Sequence, residues 1–304
     1  MKRIYFLAII FLLNYCNLFA QPRFGNELGN LNYRDNELLI NPATLGSVDR
    51  YLISLGVNKQ WTGIEGSPLS ETLQFQTPLA ENSGLGAWLY NESYGPQNNT
   101  QFAAVYTYKL KMGKNTLSFG LSGAALMMSE KQVAGNDPDD HIFASNRGTR
   151  FGFNAGFGTY YFGNKFYAGF SIPQILTNDF ETGVSDPKIK NSLDFGRMQY
   201  YFTGGYCFDV SEKISIKPTA LIVVSGTTDL GFEGMLFASY KSRYEVGAGI
   251  ASHTNLRITA GVAITANIAA RYQYSQNLGS NYNRVGGSHF VVLKFNFGKK
   301  KITE

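Results

Sequence analysis

The stretch LRITAGVAIT, residues 256–265, decides the fold of this chain. Its even-numbered positions are all apolar, and its odd-numbered positions are polar or small. Neighbouring side chains in a β-strand point to opposite faces, so this segment forms one apolar face and one polar face. A soluble sandwich buries such an apolar face in its core, whereas a membrane barrel turns it toward lipid around a polar lumen.

The composition favours the membrane alternative. Of 304 residues only 16% are charged, and the chain has 33 Gly, 19 Tyr and 23 Phe. In soluble domains about a quarter of the residues carry charge, whereas aromatic residues and Gly suit twisted strands and interface girdles. The formal net charge of +5 falls to +3 once Lys2 and Arg3 are removed with a leader. That charge is too small and too dispersed to indicate nucleic-acid binding.

Alternating segments follow one another at the spacing of an up-and-down barrel. We predict 14 strands, at residues 51–60, 69–77, 84–93, 100–109, 116–128, 149–161, 165–172, 196–210, 213–223, 227–239, 242–250, 255–265, 267–276 and 288–297. With the N-terminus in the periplasm, the three longest connections (129–148, 173–195 and 277–287) all fall on the outer side. Short periplasmic turns and long outer loops are typical of bacterial outer-membrane barrels. The sequence therefore predicts an all-β, transmembrane, antiparallel up-and-down barrel with a short N-terminal periplasmic or plug segment.

The chain divides into four predicted parts. Residues 1–20 have a basic start, a short apolar run and Ala20 before Gln21, which is typical of a secretory signal peptide. Residues 21–50 form an N-terminal segment, in which a short helix ending before Pro42 could plug the lumen, lie against the periplasmic rim or hold a partner. Residues 51–297 form the outer-membrane barrel, and residues 298–304 form a basic periplasmic tail that is either solvated or in contact with an acidic partner.

Strand alternation places six charged side chains on the inner face, where water or an opposite charge stabilises them: Glu233, Arg243, Glu245, Arg257, Arg271 and Lys294. On the lipid side each basic residue would cost a few kcal/mol near the midplane. The lumen is therefore expected to be mixed in charge and slightly positive. The apolar residues Val292 and Phe237 are expected to point inward as well, which leaves a solute pathway open.

Catalytic and cofactor chemistry finds no support in the sequence. Ser288 and His289 are neighbours on a strand and point apart, so they cannot act as a nucleophile and its base. The acidic loop at 136–141 lacks the ligand pattern and closing Glu of an EF-hand, and we interpret it as a hydrophilic outer loop. The glycines near 152–158 lie within a strand pattern, which excludes a nucleotide site. We expect no enzyme activity, no cofactor and no metal.

Several motifs resemble those of one known family. They are Asn41-Pro42-Ala43, the hairpin QWTGIEGSP at 60–68, the strand start Gly84-Leu85-Gly86 and the strand SFGL at 118–121. Together these motifs, with the Ala20-Gln21 junction, resemble the PorP/SprF family. The resemblance implies an outer-membrane barrel of Bacteroidota that works with the type IX secretion system. It implies a role as a core accessory subunit, or as the dedicated partner of one large secreted protein such as a gliding-motility adhesin.

We therefore expect a non-enzymatic barrel in the cell outer membrane. It would bind translocon subunits or a secreted client and help to export or anchor that client. The alternative is a channel for a hydrophobic solute, similar to the fatty-acid transporter family, with the N-terminal segment as plug. Trp61 is either a rim residue at the membrane interface or part of a surface that a partner recognises. The candidate partner-contact residues are Trp61, Glu65, Tyr94, His141, Tyr282 and Arg284.

Overall fold

A computed structural model describes residues 32–130, 149–180, 189–226, 230–252, 255–278 and 286–299. The predicted signal peptide, the acidic loop at 136–141, His141, Tyr282, Arg284 and residues 300–304 lie outside these ranges. Within the described part of the chain, no helix is both long enough and apolar enough to cross a membrane.

In the residues that the structure describes, seventeen strands follow two short helical segments. The α-helix α1 spans Glu37–Ile40, and a 3-10 helix spans Pro42–Ser47. The strands are β1 Arg50–Lys59, β2 Leu69–Ala80, β3 Ser83–Tyr94, β4 Gln97–Met112, β5 Asn115–Glu130, β6 Thr149–Phe162, β7 Phe166–Ile172, β8 Leu176–Phe180, β9 Ile189–Leu193, β10 Gln199–Tyr206, β11 Phe208–Asp209, β12 Ile214–Ser225, β13 Gly231–Tyr240, β14 Tyr244–Ala251, β15 Asn255–Ala263, β16 Ile268–Asn277 and β17 Ser288–Lys299.

β10 and the two-residue β11 both pair with β12 and count as one interrupted strand, so that fourteen strands close into one antiparallel barrel. Strands β1 to β7 pair in sequence order, as do β12 to β17, while β7 pairs with β10, β10 with β12 and β1 with β17, so that the sheet has no open ends. This closure confirms the predicted fold and strand count. We call the end that carries the long connections the outer end, and the end where β1 starts and β17 finishes the periplasmic end.

The alternation in residues 256–265 lies as predicted. Ile258 and Ile264 are 50% and 51% exposed on the outside of the barrel, whereas Arg257 and Thr259 are buried inside it. The same division continues around the wall: Leu55 and Leu73 pair across β1 and β2 and face outward, while Ser54 points inward and is buried. An exposed apolar exterior around a polar interior is the arrangement that a lipid environment stabilises.

One predicted loop contains additional structure. The connection at 173–195, expected to be irregular, includes β8 and β9, which pair with each other as a separate two-stranded hairpin. The prediction missed these strands because Leu176–Phe180 and Ile189–Leu193 are short and polar, without an apolar face that marks a barrel strand.

Residues 32–47 lie inside the barrel, where α1 and the 3-10 helix contact the inner wall. We call this segment the plug. Of the six charged residues predicted to point inward, Glu233, Glu245, Arg257, Arg271 and Lys294 do so. The prediction holds only in part for Arg243, which is exposed in the turn at 241–243 but lines the same cavity as Glu245 and Arg271. Strand alternation does not extend to Arg243, because β14 begins only at Tyr244.

Candidate functional site

One side of the plug is apolar. Leu38, Leu39, Ile40 and Leu45 are at most 2% exposed and belong to one cluster with wall residues of β3 and β4. Those wall residues are Trp88, Tyr90, Ala103 and Val105. Each fully buried large aliphatic side chain contributes about 1.5–3 kcal/mol, so this packing holds the plug firmly against the wall.

The peptide around Asn41–Ala43 is bound through its backbone oxygens. The hydroxyl of Thr107 donates to Pro42 O at 3.0 Å, and that of Ser118 donates to Ala43 O at 2.8 Å. The hydroxyl of Ser171 donates to Ile40 O at 2.8 Å. The Asn41 amide donates to Thr159 O at 3.0 Å, while its oxygen accepts from Ala43 N at 2.9 Å. The wall thus supplies partners for a turn that the plug cannot satisfy by itself.

Glycines make room for this turn. A Cβ built on Gly120 of β5 would lie 2.2 Å from Ala43 N, and one on Gly158 of β6 would lie 2.0 Å from Asn41 Oδ1. Gly120 and Gly158 are direct neighbours across the two strands. On β7, a Cβ on Gly169 would lie 2.9 Å from Asn41 Nδ2. Glycine in a strand interior often marks the close approach of another backbone, and here the plug is that backbone.

The opposite side of the plug is ionic. Asp35 contacts Arg271 and accepts from Lys294 Nζ at 2.8 Å, while Arg34 binds both carboxylate oxygens of Glu245 at 2.7 and 2.8 Å. Arg271 also donates to Glu245 at 2.8 Å, which joins the two pairs. A cavity of about 140 Å³ lies beside this network. We call these five residues the ionic latch.

Burial and charge oppose each other at the plug carboxylates. Burial alone would raise the pKa of Asp35, but Lys294 and Arg271 outweigh it, so the pKa of this carboxyl lies below its ordinary range. Burial raises the pKa of the neighbouring Glu37 against the smaller effect of Lys294, Lys217 and Arg34. Asp35 is therefore ionised at neutral pH and serves as the negative centre of the latch.

The outer half of the lumen is also occupied. Glu233 on β13 and Arg257 on β15 point into the lumen and form a buried ion pair. The chain leaving β7 turns inward, where the Asn154 side chain donates to Leu176 O at 2.9 Å and accepts from Leu176 N at 3.0 Å. Gln174 reaches Gln101 on β4 at 3.5 Å. The plug thus occupies the lumen from the periplasmic end, and residues 173–176 lie against β4 and β6 inside its outer half.

The loop between β1 and β2 forms one part of the outer rim. Thr62 donates from its backbone N–H to Gly287 O at 3.1 Å, which ties this loop to the start of β17. Gly66 O accepts from Gly95 N at 2.8 Å, which ties it to the end of β3. Trp61 is 41% exposed and has a φ of 47°, a conformation that is rare for a bulky residue.

Three of the six predicted contact residues lie at this rim. Trp61 and Glu65 are exposed in the β1–β2 loop, and Tyr94 is the half-buried last residue of β3. The link between Gly66 and Gly95 brings this end of β3 next to the loop. His141, Tyr282 and Arg284 fall outside the described residues. The contacts of the plug were not predicted: Asp35, Arg34 and Asn41 had no assigned role.

Comparisons with known proteins agree with this architecture. A family model described as type IX secretion system membrane protein PorP/SprF matches residues 30–295. A search of curated proteins finds no match. Three similar solved structures follow, at identities that show the fold alone. The monoaromatic hydrocarbon channel CymD is 12% identical, with a TM-score of 0.52 over 92% of this chain and 95% of its own. The toluene transporter TbuX of Ralstonia pickettii is 13% identical, with a TM-score of 0.51, and the match covers 85% of this chain and 92% of TbuX. The outer membrane protein Omp33 of Acinetobacter baumannii is 9% identical, with a TM-score of 0.51, and the match covers 83% of this chain and 100% of Omp33.

Proposed function

The chain belongs to the family of type IX secretion system membrane proteins PorP/SprF, and from this premise we propose that it binds a secreted client of that system at its outer rim. It is a barrel of the outer membrane. Its role is recognition without catalysis: it helps to export the client or anchors it at the cell surface. A surface adhesin, such as one used in gliding, is the kind of client that fits this role.

The occupied lumen carries the proposal. The plug is held by an apolar cluster, by hydrogen bonds to wall hydroxyls and by the ionic latch, and residues 173–176 lie against the inner wall in the outer half. A barrel filled in this way presents its loops and rim to other molecules more readily than a through path. Exposed aromatic residues such as Trp61 are the side chains that most often anchor protein interfaces.

Site-specific photo-crosslinking tests the proposal. A photoreactive amino acid replaces Trp61 in one strain and Tyr240 in another, and crosslinked products are identified by mass spectrometry from intact cells. Tyr240 is the matched control, because it is an aromatic residue of similar exposure (45%) at the periplasmic end. The proposal requires a large secreted protein crosslinked from position 61 and absent from position 240. Identical products from both positions would refute binding at the outer rim.

A hydrophobic-solute channel is the second candidate. The side chains of Phe237 and Val292 are buried in the lumen, and both CymD and TbuX are named for aromatic hydrocarbons. Such a role requires the plug and residues 173–176 to move out of the path. Uptake of a labelled apolar solute by cells with and without the gene separates this candidate from client binding.

A further inference from the structure

A cavity of about 400 Å³ lies at the periplasmic end of the barrel, below the plug. Strands β5, β6, β7 and β12 form its walls, and Ser47 at the end of the plug's 3-10 helix contributes to its lining. We call it the periplasmic vestibule. The lining residues that matter for binding are Lys114, Tyr160, Lys165, Tyr167 and Lys217. Ligand-binding cavities typically have volumes of about 300–1,000 Å³.

The charged residues of the lining are all cationic. Lys217 reaches inward from β12, and its ammonium lies 5.5 Å from the centre of the Tyr167 ring. Lys165 forms an ion pair with Asp209 at 2.9 Å, and both side chains are more than half exposed. In the described part of the chain, Lys114 and Lys217 form no ion pair with a carboxylate. Glu37 faces Lys217 from the plug, but the ionic latch, with three cations and two carboxylates, lies nearby and offsets its charge.

A free hydrogen-bond donor points into the same space. Tyr160 is only 6% exposed, stacks on Tyr167 at 5.5 Å and lines the vestibule. Its hydroxyl has no hydrogen-bond partner among the residues that the structure describes, whereas the Tyr167 hydroxyl is paired with Tyr33 at 2.6 Å. As part of the lining, this hydroxyl is open to a ligand, and a carboxylate placed between Tyr160 and Lys217 would accept from it and pair with the ammonium.

We propose that the periplasmic vestibule binds carboxylate side chains of an acidic polypeptide segment that enters from the periplasm. The lining favours a polypeptide over lipid, because Tyr160, Tyr167 and Lys217 lie on the inner face of the wall and lipid headgroups meet the outer face. The positive charge of the vestibule complements an acidic segment. The inference rests on the proposed secretion function only for the source of that segment.

Binding to the purified barrel tests this inference. A hexaglutamate peptide with blocked termini is titrated into the detergent-solubilised protein, with hexaglutamine as the matched neutral peptide, and binding is measured by calorimetry. We expect saturable binding of hexaglutamate alone. Lys217→Met should weaken it about tenfold, since it removes a charge-assisted contact. Tyr160→Phe, which removes only the hydroxyl, should weaken it about threefold.

Lys241→Met is the control, because it removes the same charge from an exposed periplasmic turn outside the vestibule. Lys114→Met, on another exposed turn, provides a second test should Lys217→Met fail to fold. Equal weakening by Lys241→Met and Lys217→Met would overturn the proposal, as would the absence of saturable binding. Inorganic phosphate that binds as tightly as the peptide would also overturn it, since the vestibule would then be a site for small anions. Because no client is present, these results are independent of the crosslinking experiment.

Discussion

The side chain of Asn41 occupies the space that a methyl group on Gly158 would need, since a Cβ built there lies 2.0 Å from Asn41 Oδ1. The plug and the wall are therefore shaped to each other at a single residue pair. This relationship gives the Asn-Pro-Ala motif a physical role. Asn41 fixes the turn that enters the wall, and glycines on β5 and β6 leave room for it.

Gly158→Ala should loosen the plug. An added methyl group that overpacks a fitted site typically costs about 1–3 kcal/mol, and here it would be relieved by displacement of Asn41. Ion conductance across planar bilayers should rise relative to the unmodified protein. Gly123→Ala is the control, because a Cβ on this glycine of β5 meets no atom within 4 Å. Equal conductance of the two variants would contradict the fitted contact.

Asp35→Asn should break the ionic latch. The carboxylate is fully buried between Arg271 and Lys294, and removing one partner of a buried ion pair costs about 3–5 kcal/mol. We expect a lower free energy of unfolding in urea and a higher conductance. Asp49→Asn serves as the comparison, since the Asp49 side chain is 69% exposed and its ion pair with the neighbouring Arg50 lies at the surface. If Asp35→Asn were as stable in urea as Asp49→Asn, the ionic latch would not stabilise the fold.

The latch should resist moderate acid. The pKa of Asp35 in the folded protein lies below its unfolded value of about 3.9, so its stabilisation is fully present above that value. It is lost only as the pH falls through the folded pKa. In a variant with Trp61→Phe and Glu37→Gln, the raised pKa of Glu37 can no longer contribute a transition, and Trp88 beside the plug is the single tryptophan. Its emission should therefore stay constant between pH 8 and about pH 5. A shift within that interval would contradict an ionised Asp35.

Asn154→Ala should release residues 173–176 from the lumen wall. The Asn154 side chain both donates to and accepts from the backbone of Leu176, and its loss removes both bonds. Hydrogen exchange of the Leu176 amide should accelerate by about tenfold or more. The backbone N–H of Asn41, which donates to Glu37 O at 2.8 Å, is the internal reference, and its exchange rate should not change. Unaltered exchange at Leu176 would show that Asn154 does not hold this segment.

Trp61 allows backbone strain and side-chain contact to be separated. At a φ of 47°, Gly is more favourable than Ala by about 1 kcal/mol, so Trp61→Gly should be more stable to heat than Trp61→Ala. Both variants lack the indole ring, so both should lose surface client to the same extent if the ring is the contact. Retention of the client by either variant would exclude the ring as an anchor.

The barrel could be predicted from the sequence because the pattern that specifies each strand lies within that strand. Each strand carries its own period-two pattern, and Ile258 and Arg257 take opposite faces for this reason alone. The strand count follows from these segments, and the long connections share one parity, which supported the barrel and its orientation. The β8–β9 hairpin was missed because it lies outside the barrel wall and lacks the pattern.

The plug depends on contacts between distant residues. Arg34 meets Glu245 across 211 positions, and Asp35 meets Arg271 across 236, so no local period reveals either pair. Two signals were nevertheless present. The inward residues Glu245, Arg271 and Lys294 leave one positive charge without a partner in the wall. Gly120 and Gly158, at inward positions of neighbouring strands, mark the close approach of another backbone.

The surface proteome of a strain that lacks this gene tests the central claim most directly. Outer-surface proteins are labelled on intact cells and compared between the deletion strain and the same strain complemented with the gene. Binding and presentation of a type IX client predict that one large secreted protein disappears from the surface and returns on complementation. An unchanged set of surface proteins, together with loss of uptake of an apolar solute, would contradict the account.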